Sequence, residues 1–194
     1  MLVEKYEEIV KSMLSPERFR HCLNVSKEAK RLSERYSYDS EKAQIAGVLH
    51  DIAKEMPKEE QRKLIKREGI ILTEVQENSF KLWHAISGYL FAKLELKIED
   101  EEILNAIRYH TSGRKNMSKL EKIIFVADFI SEDRKYKSVD KIRCAANISL
   151  DEGVISGIEY TTRSLIKKRS VVDPSSIDAY NDILFKNKAQ TVDD

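Results

Sequence analysis

Apolar residues recur every three or four positions along most of this chain, which is the spacing of α-helices with one buried face. Only six glycines and three prolines interrupt the pattern in 194 residues, and both residue types tend to end helices. The pattern therefore indicates an all-α protein. It predicts helices over residues 3–13, 15–36, 39–54, 57–68, 80–94, 100–110, 118–133 and 149 to about 169, and one more turn and helix within 171–185.

Residues that stabilise helix ends stand where several of these segments begin or end. A serine or aspartate before a helix accepts hydrogen bonds from its first free N–H groups, and a glycine after it takes the left-handed conformation. Gly69 fits the second role, after the polar helix that Pro57 begins. The expected starts are Ser15 followed by Pro16, Asp39 or Ser40, and the capping boxes Ser118–Glu121 and Ser149–Glu152.

The segment 39–54 is apolar on nearly every side, so we expect it to form the central helix. It ends with His50 and Asp51 side by side, and Lys54 follows four residues after His50, about one helical turn further on. A cation at that position could hold a phosphate oxygen. These polar residues at the end of a buried helix are the first candidate chemistry in the chain.

Composition excludes several classes of partner. The net charge is +1, with no evident basic patch, so we expect no nucleic-acid binding. No apolar run reaches the roughly 20 residues of a membrane helix, and the acidic start MLVEKYEEIV is unlike a signal peptide. The cytoplasm is the expected location, where Cys22 and Cys144, far apart in sequence, should stay unpaired.

The four histidines, His21, His50, His84 and His110, each fall in a different predicted helix or at its end. A single histidine of this kind is usually a core residue bonded to a carbonyl. Together with Asp51 and with Asp128, the only charge inside an apolar run, they are the ligand types that Fe, Mn, Zn, Co or Ni take. Six such groups from five predicted helices suit two ions in a bundle core.

The same residues carry a resemblance. His21, the pair His50–Asp51 and Asp128 match the H…HD…D signature of the HD-domain superfamily, metal-dependent phosphohydrolases with a helical core. The segments SPERFRHCLNV, GVLHDIAKEMP, WHAISGYL, IRYHTSGRKNMSKLEKIIFVADFISEDR and IDAYN resemble the bacterial YqeK group. We therefore expect a single HD domain over residues 1–194, with its core at about 15–182 and a polar tail at about 187–194.

The resemblance implies an activity and its cofactors. Members of this group are described as symmetrical bis(5′-nucleosyl)-tetraphosphatases, which split the small-molecule nucleotide diadenosine tetraphosphate into two ADP, and the family is associated with iron. The implied ligands are His21, His50, Asp51 and Asp128 for one ion and His84 and His110 for the other, with Asp51 bridging.

The resemblance also implies the substrate contacts. Asp51 and Lys54 would be catalytic. Asp173 stands where the family pattern has a histidine before the proline, which affects base or ribose contacts but not the metal site. The implied substrate-binding residues are Lys54, His84, Ser112 and Arg134 around the phosphates and Val172, Asp173, Pro174 and Asn181 near the nucleoside.

Other interpretations stay open at this point. The same ligands would serve a nucleotidase or nucleoside-diphosphate hydrolase, since nothing in the sequence fixes the number of phosphates. They would also serve a nucleotide sensor without turnover, or a structural metal clamp, although structural sites are usually closed. Arg114 fits a solvated charge as well as a functional one, and Ser112 could simply close a turn. A homodimer is compatible with the sequence.

Overall fold

The computed structural model describes residues 2–190, with the side chain of Gln190 left out, and it is all-α. No strand occurs among these residues, which confirms the fold class. The helices are α1 (Leu2–Met13), α2 (Pro16–Arg35), α3 (Ser40–Leu49), α4 (Lys58–Arg67), α5 (Glu74–Asn78), α6 (Trp83–Leu94), α7 (Glu101–Tyr109), α8 (Lys119–Ile130), α9 (Val139–Ile148), α10 (Leu150–Lys167) and α11 (Pro174–Gln190). A short 3₁₀ turn, Phe80–Leu82, precedes α6.

The helix starts follow the predicted caps. The side chain of Ser15 accepts a hydrogen bond from the third residue on, and Asp39, rather than Ser40, caps α3 through two N–H groups. Ser118 and Glu121 form a complete capping box, whereas at Ser149 only half of the predicted box forms: the serine side chain accepts from the N–H of Glu152, without the reciprocal bond. Gly69 takes the left-handed conformation after α4, with φ of 67°. These local signals were sufficient to place the starts of the main helices.

Helix α3 is shorter than predicted: it ends at Leu49, and residues 50–56 form consecutive turns. The ring of His50 contributes to this end, because its Nδ1 lies 2.8 Å from the carbonyl oxygen of Gly47. In a continuing helix that oxygen would accept the N–H of Asp51. The prediction that Lys54 follows His50 on one helical face is therefore wrong. Lys54 lies instead in the series of tight turns after α3.

The core is centred on α3, as its apolar pattern predicted. Its residues Ala46, Val48 and Leu49 are fully buried. Helices α2 and α3 approach so closely that a Cβ on Gly47 would lie 2.7 Å from the Cα of Ser26. This close contact fixes the distance between α2, which carries His21, and the end of α3, which carries His50.

Two helices were not predicted, α5 and α9, and α11 is longer than predicted. Residues 187–190, expected to begin a polar tail, continue α11, and residues 191–194 lie outside the described part of the chain. Both cysteines are free, Cys22 buried and Cys144 exposed. Within residues 2–190, no helix combines the length and apolar character that crossing a bilayer requires.

Candidate metal centre

Five helices bring their ends or buried faces to one point in the core. His21 lies on α2, His50 and Asp51 follow α3, His84 lies in the first turn of α6, His110 follows α7, and Asp128 lies near the end of α8. The structure thus gathers all six predicted ligands. They form three overlapping groups whose candidate ligand atoms lie within 4.8 Å of one another: His21, His50 and Asp51; His50, His110 and Asp128; and Asp51, His84 and His110.

Three of the imidazoles are held in the same way. Each ring places Nδ1 against the backbone carbonyl three residues earlier, at the end of a helix or within its first turn. That contact puts the proton on Nδ1 and leaves Nε2 with a lone pair facing the centre. The distances from Nδ1 to the oxygen are 2.8 Å for His50 to Gly47, 2.7 Å for His84 to Lys81 and 2.8 Å for His110 to Ile107.

The ring of His21 is held by a carboxylate instead. Its Nδ1 lies 2.7 Å from Oδ2 of Asp133, and its Nε2 lies 3.0 Å from Oδ1 of Asp128. Asn24 donates a hydrogen bond to the other oxygen of Asp133. Burial would raise the pKa of Asp133, but several hydrogen bonds, the one with His21 foremost, together lower it. Asp133 was not predicted, although it follows Asp128 closely in the segment ADFISED.

The two carboxylate oxygens of Asp51 face different histidines. Oδ1 lies 3.2 Å from Nε2 of His84 and 3.5 Å from Nε2 of His110. Oδ2 lies 3.6 Å from Nε2 of His50 and 3.0 Å from a guanidinium nitrogen of Arg18. The carboxylate therefore stands between two groups of imidazoles.

The donor set fits a metal ion. Nε2 of His50 and Oδ1 of Asp51 are buried without a hydrogen-bond partner. Nε2 of His84 lies 3.1 Å from Nε2 of His110, and both rings already have their proton on Nδ1. Lone pairs at these distances repel one another unless a cation lies between them, and an unpaired buried polar atom is costly. A cluster of imidazoles and carboxylates therefore fits a divalent metal.

Electrostatics keeps these groups in the state that binds metal. Burial lowers the pKa of His50 to about 3 and also lowers that of His84, so both rings are neutral near pH 7. Burial would raise the pKa of Asp51 and Asp128. The cation beside each carboxylate, Lys54 or Arg134, and for Asp128 also the hydrogen bond with His21, act in the other direction, and both pKa values lie well below the usual range.

Three cations surround the centre on its solvent side. Nζ of Lys54 lies 3.1 Å from Nε2 of His84 and 3.5 Å from Oδ1 of Asp51. Arg134 donates to the carboxylate of Asp128 and, over 2.7 Å, to its backbone oxygen. Lys54 and Arg134 thus lie beside the centre, as expected. Arg18, which pairs with Asp51, was not predicted.

The predicted nucleoside residues do not lie together. A cavity of about 370 Å³ beside Thr111 is lined by Ser112 and Asp173 and by apolar side chains such as Leu82, Leu165 and Val171. The hydroxyl of Thr111 lies 3.3 Å from Nε2 of His84, so the cavity opens next to the centre. We call it the apolar cavity.

The remaining residues of that prediction lie outside the apolar cavity. Val172 is half-buried and Pro174 is exposed at the start of α11. Asn181 is exposed and lines a different cavity with Lys115, because Ala179 and Ile183 of the same helix face the core. Asn181 therefore does not line the apolar cavity.

Arg114 has a structural role. Its guanidinium makes two hydrogen bonds to the carboxylate of Glu121, of 2.8 Å and 2.7 Å. Only 1 % of Glu121 is exposed, so this carboxylate depends on Arg114 for its charge partner.

We expect Arg114→Ala to lower the free energy of unfolding by about 3 kcal/mol, because removing one partner leaves a buried charge uncompensated. The metal content and kcat should change less than about twofold. Urea unfolding followed by circular dichroism measures the first, and Lys115→Ala, an exposed neighbour, is the matched control. A large loss of kcat in a folded Arg114→Ala variant would show instead that Arg114 contacts substrate.

This fold and its buried histidine–aspartate cluster define a class of protein. The sequence profile of the HD domain matches residues 18–133, and the chain belongs to the HD-domain family. The match includes His21, His50, Asp51 and Asp128, the H…HD…D residues.

The chain is also similar to particular relatives over nearly its whole length. It is 42% identical over 172 residues to "Bis(5′-nucleosyl)-tetraphosphatase, symmetrical" of Bacillus subtilis, covering 89% of this chain and 92% of that protein. It is 39% identical over 181 residues to the protein of the same name of Halalkalibacterium halodurans, covering 93% and 96%. A crystal structure of a "predicted HD superfamily hydrolase involved in NAD metabolism" from Clostridium acetobutylicum superposes with a TM-score of 0.91, at 37% identity, covering 94% of this chain and 97% of that one.

Proposed function

We propose that this chain is a symmetrical bis(5′-nucleosyl)-tetraphosphatase, which hydrolyses diadenosine tetraphosphate to two ADP at a centre of two metal ions. The observation that carries the proposal is the placement of Asp51, whose two oxygens face His84 and His110 on one side and His50 on the other. That arrangement suits a bridging carboxylate. The two bacterial relatives at 39–42% identity have the same named activity.

The ligands divide into two sets around Asp51. His21, His50 and Asp128 would hold one ion, and His84 and His110 the other, with one oxygen of Asp51 on each. With Asp51 counted for both, one ion would have four protein ligands and the other three. Both ions would then keep positions open for water and phosphate, as catalytic sites require. Bound metal ions would lower the pKa of water towards about 7 and neutralise phosphate charge.

The residues of the chain supply orientation and charge for the phosphoryl transfer. Lys54, 35% exposed and beside Asp51, would hold a phosphate oxygen, so that the phosphorus second from one nucleoside lies in line with the attacking water. Arg134 would neutralise charge that develops on the departing ADP. Positioning and charge neutralisation provide most of the catalysis in such reactions.

The apolar cavity beside His84 would take one nucleoside. Its volume of about 370 Å³ and its apolar lining suit a base. Asp173 is 7% exposed, and its Oδ2 is buried without a hydrogen-bond partner, while its Oδ1 accepts from the N–H of Ser175. Oδ2 is thus an acceptor for a hydroxyl or amino group of the nucleoside. Ser112, whose hydroxyl donates to the carbonyl of Gly113, would shape the cavity.

The remaining features follow from the site and the sequence. Iron is the proposed metal, and Mn, Zn, Co or Ni would suit the same imidazole and carboxylate ligands. The partner is a small-molecule nucleotide, without nucleic acid or membrane, in the cytoplasm. The proposal takes residues 1–194 as one domain and is compatible with a homodimer.

The products of the reaction test the proposal. Protein loaded with iron under reducing conditions should convert diadenosine tetraphosphate to ADP alone, separated by ion-exchange chromatography. ATP plus AMP would reject symmetrical cleavage. Faster release of phosphate from mononucleotides would favour a nucleotidase, and tight binding without turnover would favour a sensor.

A further inference from the structure

A second cavity, which shares no lining residue with the apolar cavity, also reaches the metal centre. It has a volume of about 450 Å³ and reaches the centre through His21 and Arg134. We call it the cationic cavity. Its other lining residues are Glu17, Arg18 and Arg20 at the start of α2 and Asp133, Lys135 and Tyr136 in the loop after α8.

The charges of the cationic cavity are only partly compensated. Arg18 pairs with Asp51 and Arg134 pairs with Asp128. Arg20 and Lys135, in contrast, have no ion pair or hydrogen-bonded side chain within residues 2–190, and the acidic residues of the same lining are Glu17 and Asp133. Two cations without a fixed partner can turn towards the phosphates of an anionic ligand that lies at the metal centre.

One wall of the cationic cavity is rigid. The hydroxyl of Tyr136 donates a 2.7 Å hydrogen bond to the carbonyl of Phe129. Its ring stacks on that of Tyr160, with 4.6 Å between centroids. These contacts hold the ring of Tyr136 in place. Arg20 and Lys135, in contrast, are long, exposed side chains that can turn towards a ligand.

The geometry points to a second nucleotide subsite: the cationic cavity binds the nucleoside diphosphate that departs from the dinucleotide, with Arg20 and Lys135 on its phosphates. This inference rests on the proposed function. The two cavities meet the centre at different residues, one at His84 and Thr111 and the other at His21 and Arg134. The rings of His21 and His84 are the two ends of a row of imidazole contacts that runs through His50 and His110. A substrate with two nucleosides and four phosphates would then extend through the centre in both directions.

The two subsites differ in chemistry. The apolar cavity offers apolar contacts and one unpartnered carboxylate oxygen, which select a nucleoside. The cationic cavity offers cations and a polar lining, which select phosphate and tolerate different bases. Binding at the second subsite should therefore weaken with salt, since exposed charges are screened over about 8 Å at physiological ionic strength.

The variants Arg20→Ala and Lys135→Ala, alone and together, test the subsite. In the double variant KM for diadenosine tetraphosphate should rise about 10- to 100-fold, because two charge-assisted contacts are lost, while kcat stays within about threefold. The controls are Lys30→Ala on α2 and Lys137→Ala in the same loop as Lys135; both lysines are exposed and outside the cavity. Unchanged KM in the double variant would overturn the inference.

A binding measurement separates this inference from the proposed function. Titration calorimetry of the metal-loaded protein with α,β-methylene-ADP, which is not hydrolysed, should show two sites per chain in the wild type and controls and one in the double variant. Loss of one site would support the subsite even if the wild type does not cleave the dinucleotide. Two sites with unchanged affinities in the double variant would refute it.

Discussion

The Asp51→Asn variant should lose at least about 10³-fold in kcat for diadenosine tetraphosphate, together with most of its bound metal. Asp51 is the only candidate ligand in residues 2–190 with an oxygen towards each group of imidazoles. An amide keeps the shape of the side chain but brings no negative charge, so it cannot bridge two cations. Losing the bridge removes both the activated water and the charge that holds the phosphate. Elemental analysis and product formation measure the two effects.

The same variant separates loss of metal from loss of fold. In the metal-free wild type, Oδ1 of Asp51 faces the lone pairs of His84 and His110. An amide nitrogen at that place could donate a hydrogen bond to either ring. That hydrogen bond would offset the loss of the ion pairs with Arg18 and Lys54, so metal-free Asp51→Asn should melt close to the temperature of the metal-free wild type.

The control for this substitution is Asp140→Asn. Asp140 is an exposed carboxylate that pairs with Arg143 at 3.0 Å, away from the centre. The control should retain both metal and kcat. Full activity in Asp51→Asn with two metals per chain would contradict the bridging role.

Most of the fold could be predicted from the sequence because α-helices with one buried face repeat at a fixed spacing. Helix α5 has only five residues, too few for a period to show. Helix α9 has just three buried residues among ten, so its apolar stripe is weak. Its start, Ser138, makes no side-chain cap. Both helices depend on neighbours in space that periodicity does not reveal.

The metal ligands could be predicted because polar residues inside apolar segments need partners. Arg18 and Asp133 give no such signal, since a charged residue near a helix start or in a loop is usually solvated. Asp133 reaches His21 across 112 positions of sequence. Only the packing of α2 against α8 makes that contact, and no local pattern encodes it.

Two side chains show which contacts the sequence could not reveal. Asn181 lies in α11, which begins at Pro174. Ala179 and Ile183 of this helix face the core, so helical geometry turns Asn181 towards solvent. Arg114 stands in a loop next to Lys115, and the buried Glu121 seven residues later determines its role. In both cases the direction of the side chain determines what it contacts, and the spacing of residues in the sequence does not reveal that direction.

Removal of the metal ions by a chelator should abolish turnover and lower the melting temperature. The centre then keeps unpartnered buried atoms on His50 and Asp51. A ligand that binds only the folded state stabilises it by about 4 kcal/mol at 1,000 times its Kd, and removal of the ligand reverses that gain. Reloading with iron should restore both properties.

Acid should destabilise the metal-free protein in a defined range. The pKa of His50 falls to about 3 on folding because the ring is buried, whereas the unfolded chain takes up a proton near pH 6.5. Between these values the unfolded state binds more protons, so stability is complete above about pH 6.5 and is lost as the pH falls. One group contributes about 1.4 kcal/mol per pH unit. The depressed pKa values of Asp51 and Asp128 add a further loss below about pH 4.

Urea unfolding of the metal-free protein at pH 7 and pH 5 measures this effect, and we expect a loss of about 2 kcal/mol. His50→Gln, which has no ring to protonate, should lose less over the same interval. With metal bound, protons must displace the ions before His50 can be charged, so the loaded protein should hold its stability to lower pH. Equal stability of the metal-free protein at both pH values would contradict a neutral, buried His50, and with it the lone pair that the proposed metal centre requires.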